Sequence, residues 1–350
     1  MLAAYGAACG AALITAGCGA RATARRDTLA FSGVTMGTTF SVRIAGGPFE
    51  PGLEAAAHAA VRAAFDDVVQ RMSTFDATSE LRRFNAHAAT TPFVLGRETL
   101  TVLARAQQVA AASGGAFDAT VAPLVGAWGF GAGAAAREVM PSPAVLQGLA
   151  TAVGWQRLVV DAERGTARKL AAALQLDLSG IAKGYAVDRA AQALEALGAV
   201  RYMVEAGGEV RTRGLNAEGV PWRIAIEKPD AWPQQVQRIV PLRSLAMATS
   251  GDYRNFYELG GRRVSHEIDP ATRAPAAHAL ASVSVVHEEC MSADAWSTAL
   301  FVLGPERGLA LARERGLAAH FIVREGGALR EFTTPAFDAA VAAAATLRTG

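Results

Sequence analysis

The sequence predicts an α+β fold, because helices and strands are partly segregated along the chain instead of alternating regularly. Residues 52–72 and 98–113 carry apolar side chains at helical spacing, and the second stretch stops at Gly114-Gly115. Beyond Gly198 the pattern changes to short strands separated by turn residues, and helices return near the C-terminus. A doubly wound sheet is therefore disfavoured.

The remaining elements follow from the same two periodicities. Residues 34–44 alternate polar and apolar side chains and predict a strand before the first helix. Between the second helix and Gly198 we expect a Gly- and Ala-rich loop at residues 128–143 and a short helix at 145–153. Strands at 158–161 and 174–178 follow, and then a third helix that ends at Leu197. We then expect strands at 202–205, 209–213, 223–226, 239–242, 245–249, 280–287 and 319–323, and helices at 291–303 and 306–315.

Composition narrows the class of protein. Of the 350 residues, 51% are hydrophobic and 19% charged, which fits a globular chain with one large domain or two closely packed ones. The formal net charge of +2 gives no reason to expect nucleic acid or an acidic partner. Cys9 and Cys18 lie in the N-terminal leader, so the body has only the thiol of Cys290 and no internal disulfide.

The N-terminus is typical of an exported protein. Residues 2–17 are apolar or small and uncharged, too short to span a bilayer comfortably but long enough for a signal-peptide core. The segment ends in Thr15-Ala16-Gly17-Cys18, which resembles a bacterial lipoprotein box, although Thr15 replaces the usual Leu. We therefore expect a lipoprotein on the periplasmic side of the bacterial inner membrane, anchored at Cys18. The alternatives are a soluble periplasmic protein with an ordinary cleaved signal, and a misplaced start codon.

Residues 177–188 form the most informative segment. The apolar stretch 174–178 predicts a strand, which is followed by a tight turn and by a helix that runs to Leu197. A helix N-terminus presents unpaired N–H groups and a partial positive charge, which suit a phosphate, and Lys183 adds a full charge. Asp177 could bind a metal or a base edge. The alternative is that Asp177 only caps the helix and Lys183 is solvated.

A second candidate site lies on the predicted helix 291–303. Asp294 and Thr298 are four residues apart, so they share one face of that helix. Two hard oxygen ligands on one face suit Mg²⁺, although an Asp near a helix start can equally interact with the helix dipole. Zinc is disfavoured, because the adjacent spacing from His287 to Cys290 is wrong for a tetrahedral site.

Three further stretches carry functional groups. Residues 117–124 form a loop that leads into an aromatic, Gly-rich segment, and this loop is either structural or part of a pocket. Residues 205–209 form a Gly-Gly turn that either joins two strands or admits close approach of a ligand. His266 has Asp269 nearby in the chain, and is either a general base or a packing residue.

Together these stretches resemble the ApbE family of FAD:protein FMN transferases. The resemblance covers about residues 33–325, and its motifs occur in register along the chain. They are Met36-Gly37-Thr38, Met72-Ser73-Thr74-Phe75, Ser79-Glu80-Leu81, Phe117-Asp118-Ala119-Thr120, and residues 177–188, 205–209, 249–252, 266–270 and 294–298. The resemblance implies an ApbE-like α+β fold related to the T-fold, with mixed or antiparallel sheets, flanking helices, and an FAD site in the cleft between lobes.

The resemblance also implies an activity and its residues. A member of this family cuts FAD at the pyrophosphate with the help of Mg²⁺, releases AMP and esterifies FMN to a threonine of an acceptor protein. The implied flavin-site residues are Met36, Phe75, Ala116, Phe117, Asp118, Asp177, Lys183 and Ile268. The implied metal ligands are the Gly180 carbonyl, Asp294 and Thr298. We expect Lys183 and Asp294 to be catalytic, and His266 to be the base for the acceptor hydroxyl.

Two positions depart from the family pattern. Phe75 stands where tyrosine is frequent, which keeps the stacking face and loses a hydroxyl. Ser297 stands where some members offer an Asp as a further metal ligand, so the number of magnesium ions stays open.

The resemblance and the leader divide the chain. We assign residues 1–18 to the leader, 19–32 to a tether, 33–333 to the ApbE-like domain and 334–350 to an Ala-rich C-terminal tail. Two other functions stay open: an FAD pyrophosphatase that yields FMN and AMP, and a flavin-binding carrier without catalysis. The carrier is disfavoured, because a carrier needs no magnesium cluster of the kind that Asp294 and Thr298 predict.

Overall fold

The computed structural model describes residues 27–133, 135 and 137–346. The predicted leader with Cys18, and most of the predicted tether, lie outside these residues. Within the described part of the chain, no helix is both long and apolar enough to cross a membrane.

Strands and helices are named here in chain order. The strands are β1 (Thr28–Thr35), β2 (Thr38–Ala45), β3 (Phe93–Val94), β4 (Leu158–Asp161), β5 (Thr166–Lys169), β6 (Tyr202–Ala206), β7 (Glu209–Arg213), β8 (Trp222–Glu227), β9 (Val236–Leu242), β10 (Ala246–Gly251), β11 (Phe256–Leu259), β12 (Arg262–Ser265), β13 (Ile268–Asp269), β14 (Ala274–Pro275), β15 (Leu280–His287), β16 (Ala318–Glu325) and β17 (Ala328–Thr333). The helices are α1 (Leu53–Met72), α2 (Glu80–Ala86), α3 (Arg97–Ala112), α4 (Ala122–Ala127), α5 (Pro143–Gly148), α6 (Ala182–Ala196), α7 (Cys290–Glu314) and α8 (Pro335–Thr346), with single 3₁₀ turns at Leu149–Thr151 and Trp155–Arg157.

The centre of the fold is an eight-stranded antiparallel sheet in the order β1-β2-β6-β7-β10-β15-β16-β17. Successive residues of β10 face opposite sides of this sheet. Ala248 packs in the cluster that α7 covers, whereas Met247 packs in the cluster on the other side. Both faces of the sheet are therefore buried, and the observed architecture is the predicted α+β fold.

Helices cover one face of the sheet and a β-ribbon covers the other. On the helical side, α1 packs against α6 and α6 against α7, and Phe65 of α1 meets Phe40 of β2 with ring centroids 5.1 Å apart. On the opposite side, the β8–β9 ribbon and α8 contribute Trp222, Val240 and Phe337 to a second core. The helical layer is the one that holds the candidate site.

The folded body extends beyond residues 33–333 at both ends. Strand β1 begins at Thr28, inside the segment assigned to the tether. Residues 335–346 of the predicted tail form α8, in which Phe337 is fully buried and stacks on His320 at 5.5 Å. The segment assigned as an Ala-rich tail therefore contains a helix, which packs on the sheet through Phe337 and Ala344.

Two predicted strands are not as expected. Residues 34–44 do not form one strand but a hairpin, because Met36 and Gly37 both adopt positive φ, 47° and 74°, and reverse the chain. Residues 174–178 form no strand: within the described part of the chain, their one ladder contact is an isolated bridge between Gln175 and Val121. The side chain of Asn85 takes the place of a partner strand here, since it bonds the N–H of Leu176 at 2.7 Å and its carbonyl at 2.8 Å.

Other boundaries are close to their predictions. The strands predicted at 158–161, 209–213 and 280–287 have those bounds in the structure. The two C-terminal helices also occur, because α7 is interrupted at Gly304, whose φ is 79°, immediately before Pro305. The short helix predicted at 145–153 begins earlier, at Pro143, and ends in a 3₁₀ turn.

Candidate active site

The start of α6 forms the floor of the candidate site. Ile181 is fully buried and turns the chain into the helix, which begins at Ala182. The next residue, Lys183, directs its ammonium group toward β7, where it donates to Glu209 Oε1 at 2.5 Å. Glu209 is 1% exposed, whereas the side chain of Lys183 remains 33% exposed. The lysine is therefore held at the site by a buried carboxylate and still faces open space.

The charge of Lys183 is maintained by its neighbours. Burial opposes the ammonium form, but the carboxylates of Glu209 and Asp294 outweigh that effect, and Glu267 adds to them, so the pKa of Lys183 is raised. Burial raises the pKa of Glu209, and the positive charge of Lys183 acts in the opposite direction. Lys183 is therefore a fixed cation at neutral pH.

Helix α7 lies directly against the start of α6. The Gly184 N–H donates to Asp294 Oδ2 at 2.9 Å. A side chain at Gly184 would not fit, because a Cβ there would lie 2.7 Å from the Cys290 carbonyl carbon and 2.8 Å from Asp294 Cβ. Asp294 is 3% exposed, and burial raises its pKa while Lys183 and the Gly184 N–H lower it. Only a glycine allows the two helices this close.

Thr298 continues the same face of α7 toward Gly180. A Cβ built on Gly180 would lie 2.8 Å from Thr298 Oγ1 and 3.4 Å from the ring of Phe117. Thr298 Oγ1 is also 3.2 Å from Ser250 Oγ, which belongs to β10. The structure thus places Thr298 and Phe117 against Gly180, and Asp294 one helical turn before Thr298 on α7. The role of the Gly180 carbonyl, Asp294 and Thr298 as metal ligands stays a prediction.

The donors at this place fit Mg²⁺ in chemical type. A buried carboxylate, a hydroxyl and a loop carbonyl are hard oxygen ligands, and Mg²⁺ usually keeps several waters besides. Among the described residues, no three His, Cys, Asp or Glu side chains cluster closely enough to hold a metal ion. Any ion here would therefore depend on the neutral oxygens as well as on Asp294. Ser297 is neutral and adds no charge, and its hydroxyl is already bonded to Ser250 Oγ at 3.0 Å and to the Asp294 carbonyl at 2.9 Å.

Asp118 and Asp177 order the two loops that meet at the site. Asp118 accepts from the Thr120 N–H at 2.8 Å and the Trp155 N–H at 2.9 Å; burial nevertheless raises its pKa. Asp177 accepts from the Ser179 N–H at 2.8 Å, and its own N–H donates to the Ala119 carbonyl at 2.8 Å. Both carboxylates serve loop geometry in this structure, and their roles toward a flavin remain predictions.

The hairpin turn that carries Met36 reaches the same edge of the sheet. The Gly207 N–H donates to the Thr39 carbonyl at 3.2 Å, and a Cβ on Gly207 would lie 2.9 Å from Thr38 Cγ2 and 3.4 Å from Glu209 Oε2. Residues 34–39 line a shallow depression of about 480 Å³ beside this turn. The hairpin turn at Met36 therefore lies beside the Gly207 turn, and the strand after that turn begins at Glu209.

Phe75 occupies an exposed loop after α1. Its side chain is 71% exposed, and its N–H donates to Ser73 Oγ at 3.1 Å. Phe75 therefore does not pack in the core, and its contact with a flavin stays a prediction. Ala116, half-buried, directly precedes the buried Phe117.

His266 is connected to the site through Glu267. The His266 Nδ1 lies 3.1 Å from the Asn255 carbonyl, and its Nε2 lies 3.7 Å from Glu267 Oε1. Burial raises the pKa of Glu267, and the positive charges of His266 and Lys183 oppose this rise. Ile268 is buried on β13 in a cluster that includes Trp128.

Sequence reasoning missed two acidic residues of the site. Glu209 belongs to the Gly-Gly turn that we considered, but the sequence does not show that it pairs with Lys183. Glu267 directly follows His266, and its burial is the part that the sequence does not show. The only available signal was their position inside motifs already selected for other residues.

A helix start that carries a lysine and lies against several hard oxygen atoms is an arrangement suited to a phosphoryl or nucleotide group. The chain belongs to the ApbE family, whose model matches residues 36–321. It is 40% identical over 327 residues to the FAD:protein FMN transferase of Vibrio cholerae, covering 93% of this chain and 95% of that protein. It is 41% identical to the Haemophilus influenzae protein of the same name, over 85% of this chain and 86% of that one.

Solved structures agree with this assignment. The flavin transferase ApbE from Vibrio cholerae superposes with a TM-score of 0.81 at 38% identity, covering 89% of this chain and 98% of that one. The apo form of the Pseudomonas stutzeri flavinyl transferase ApbE gives a TM-score of 0.81 at 41% identity, with coverages of 90% and 96%. The resemblance seen in the sequence and the α+β fold expected from it are confirmed.

Proposed function

We propose that this protein transfers FMN from FAD to a threonine hydroxyl of an acceptor protein and releases AMP. Membership of the ApbE family supports the reaction class. The observation that carries the proposal is the contact of the α6 start with α7, which joins Lys183 and Gly180 to Asp294 and Thr298. A cation, a helix N-terminus and hard oxygen atoms on these adjacent elements support a site that handles a pyrophosphate.

The reaction forms one bond to phosphorus and breaks another. The threonine oxygen attacks the phosphorus of the FMN phosphate, the bond from this phosphorus to the oxygen of AMP breaks, and AMP leaves with that electron pair. The threonine proton passes to a base. Most of the catalysis in such transfers is positioning and electrostatic stabilisation, because charge spreads over the phosphoryl oxygens in the transition state.

Lys183 is suited to oppose that developing charge. Its pKa is raised by Glu209, Asp294 and Glu267, so it stays protonated through neutral pH. The hydrogen bond to Glu209 Oε1 restricts the ammonium group to one direction. A preorganised cation of this kind needs no rearrangement at the moment of reaction.

The Gly180 carbonyl, Asp294 and Thr298 would hold Mg²⁺. When bound, Mg²⁺ supplies charge neutralisation on the pyrophosphate. The buried position of Asp294 supports this role, because its carboxylate is kept at the site by the Gly184 N–H.

His266 is the candidate base for the threonine proton. A carbonyl can only accept, so the contact with the Asn255 carbonyl requires the proton of a neutral imidazole to reside on Nδ1. Nε2 is then the nitrogen that can accept a proton. Glu267, 3.7 Å from it, stabilises the cation that results.

The flavin would lie across the loops that meet at the site. Phe117 is buried beside Gly180, Phe75 presents an exposed ring, and Met36 borders the depression next to the Glu209 turn. Ala116, Asp118, Asp177 and Ile268 complete the residues that we assign to FAD binding.

We also propose that the protein acts outside the cytoplasm, anchored by lipid at Cys18. The apolar stretch 2–17 before a cysteine supports this address. Wild-type protein should partition into detergent, and Cys18→Ser should release it. Recovery of the wild type only in the soluble periplasmic fraction would contradict lipidation.

The function is tested by incubating purified protein with FAD, Mg²⁺ and a flavin-acceptor domain, followed by mass spectrometry of the acceptor. We expect the mass of one FMN on a threonine, and none with Asp294→Asn as the control enzyme. FMN and AMP without an adduct would identify a pyrophosphatase instead. Unchanged FAD would identify a carrier.

A further inference from the structure

Helix α7 receives its N-terminal cap from another helix. Asp188 lies on α6, is 5% exposed, and accepts from the Cys290 N–H at 3.0 Å and the Met291 N–H at 2.9 Å. The residue at the usual capping position, Glu289, makes no capping hydrogen bond with its side chain to the residues described. The first turn of α7 therefore depends on a carboxylate that is more than 100 residues away in sequence.

Arg211 of β7 holds the Asp188 carboxylate from the side of the sheet. The two form an ion pair, and the Arg211 side chain is itself 24% exposed. Asp188, a residue of α6, is thus bonded to Arg211 of the sheet and to two N–H groups at the start of α7. A carboxylate with three fixed partners has little freedom to move.

This cap lies one turn along α6 from the closest approach of the two helices. Gly184 contacts Cys290 and donates to Asp294, so α6 and α7 are joined at two successive turns. The same two turns of α7 lead directly to Asp294 and then to Thr298. Any shift of α7 along α6 would therefore move both oxygen ligands relative to Gly180 and Lys183.

We propose that Asp188 is a positioning residue for the metal site: it sets the register of α7 on α6, and so the placement of Asp294 and Thr298. The inference rests on the proposed Mg²⁺ site, and adds a residue that touches neither metal nor substrate. Partners that orient ligands from behind typically contribute about 10–100-fold to metal affinity.

The test compares Asp188→Asn with a matched control on the same helix. Glu195 is also an α6 acid that pairs with a β7 arginine: it lies 2.8 Å from Arg213 and accepts from the Tyr202 hydroxyl at 2.6 Å. Glu195→Gln therefore removes an equivalent charge without touching α7. Both variants are titrated with MgCl₂ in a calorimeter well below their melting temperatures.

We expect Asp188→Asn to weaken Mg²⁺ binding by about tenfold or more, because the amide can serve only one of the two α7 N–H groups. Glu195→Gln should stay within roughly twofold of the wild type, since an exposed pair contributes little. A merely structural role for Asp188 would lower the melting temperature and leave the Mg²⁺ affinity of the folded protein unchanged, which would overturn the proposal.

A second variant covers the case in which Asp188→Asn does not fold. Arg211→Gln leaves Asp188 and its two bonds to the α7 N–H groups in place, but removes the arginine that holds the carboxylate from the side of the sheet. This variant should still weaken Mg²⁺ binding beyond the Glu195→Gln control. If Arg211→Gln and Glu195→Gln bind Mg²⁺ with equal affinity, the proposal is overturned and the proposed function is left intact. A wild type that binds no Mg²⁺ would overturn both.

Discussion

Replacing Gly184 by alanine tests the contact on which the site depends. In an ordinary helix this change stabilises, by about 1 kcal/mol, because alanine has the better helix propensity. Here the new methyl group would lie 2.7 Å from the Cys290 carbonyl carbon and 2.8 Å from Asp294 Cβ, and closer still to the carbonyl oxygen. The nearest atoms include backbone, which cannot rotate away.

The magnitude follows from the distances. Ordinary contact begins near 3.4 Å, so α6 and α7 must separate by roughly 1 Å. Overpacking of this kind costs about 1–3 kcal/mol. A misplacement of about 1 Å at a catalytic site can reduce turnover about 100-fold. We therefore expect Gly184→Ala to be less stable than the wild type and to lose most of its activity.

Urea unfolding and FAD turnover on the same preparation measure the two effects. Gly126→Ala is the matched control, because Gly126 lies in helix α4 and a Cβ there would meet no atom of the described residues within 4 Å. The control should keep its activity and be as stable as the wild type or slightly more so. A Gly184→Ala protein with wild-type stability and turnover would refute the close packing of α6 on α7.

Three other results are expected. Phe75→Ala should weaken FAD binding about tenfold in a fluorescence titration, since stacking contributes about 1 kcal/mol. The melting temperature of Phe75→Ala should hardly change, because the ring is 71% exposed. Phe75→Tyr should bind FAD within a few-fold of the wild-type affinity. An unchanged FAD affinity in Phe75→Ala would exclude stacking. Asp294→Ala should reduce turnover by about 100-fold or more and weaken FAD binding less, whereas near-normal, chelator-resistant turnover would contradict the metal site. Burial lowers the pKa of Lys169 to about 8. The contribution of Lys169 to the free energy of unfolding should therefore rise between about pH 8 and its unfolded pKa near 10.5. Lys169→Met should remove that rise, and identical pH profiles of stability for the wild type and Lys169→Met would disprove the prediction.

The Lys169 prediction has a fixed sign. Its folded pKa lies below its unfolded pKa, so between the two values the unfolded chain binds more protons and raising the pH favours the folded state. The ammonium group donates to the carbonyls of Asn85 at 2.9 Å and His87 at 3.0 Å, and no carboxylate pairs with it among the residues described. The comparison with Lys169→Met isolates this group from the other groups that titrate in the same pH range.

Elements with strong local signals could be predicted from the sequence. The apolar spacing from Leu53 to Met72 and the Gly304-Pro305 break depend on neighbouring residues only, and both occur in the structure. The hairpin at Met36 could not be predicted in the same way, because positive φ at a methionine is uncommon and only Gly37 gives a signal.

Long-range partners explain the other errors. The apolar run at 174–178 is buried like a strand, but the Asn85 side chain supplies its hydrogen bonds. The Ala-rich C-terminal stretch gives no signal in the sequence that it packs on the sheet, because its contact with the sheet depends on the stacking of Phe337 on the distant His320.

In the candidate site, too, residues with a local sequence signal could be predicted and residues that depend on long-range partners could not. Lys183, Asp294 and Thr298 could be selected because each belongs to a short motif with a chemical rationale. Glu209 and Asp188 could not be given roles, since their ion pairs and hydrogen bonds join segments that only the folded chain brings together.

The account depends most directly on the fate of the two halves of FAD. The measurement is the ratio of AMP released to flavin covalently bound to the acceptor, followed over time in one reaction with Mg²⁺. We predict that AMP and covalent flavin appear together, one for one, from the first turnovers. AMP that accumulates with free FMN and without covalent flavin, or no AMP at all, would contradict the assignment of this protein as a flavin transferase.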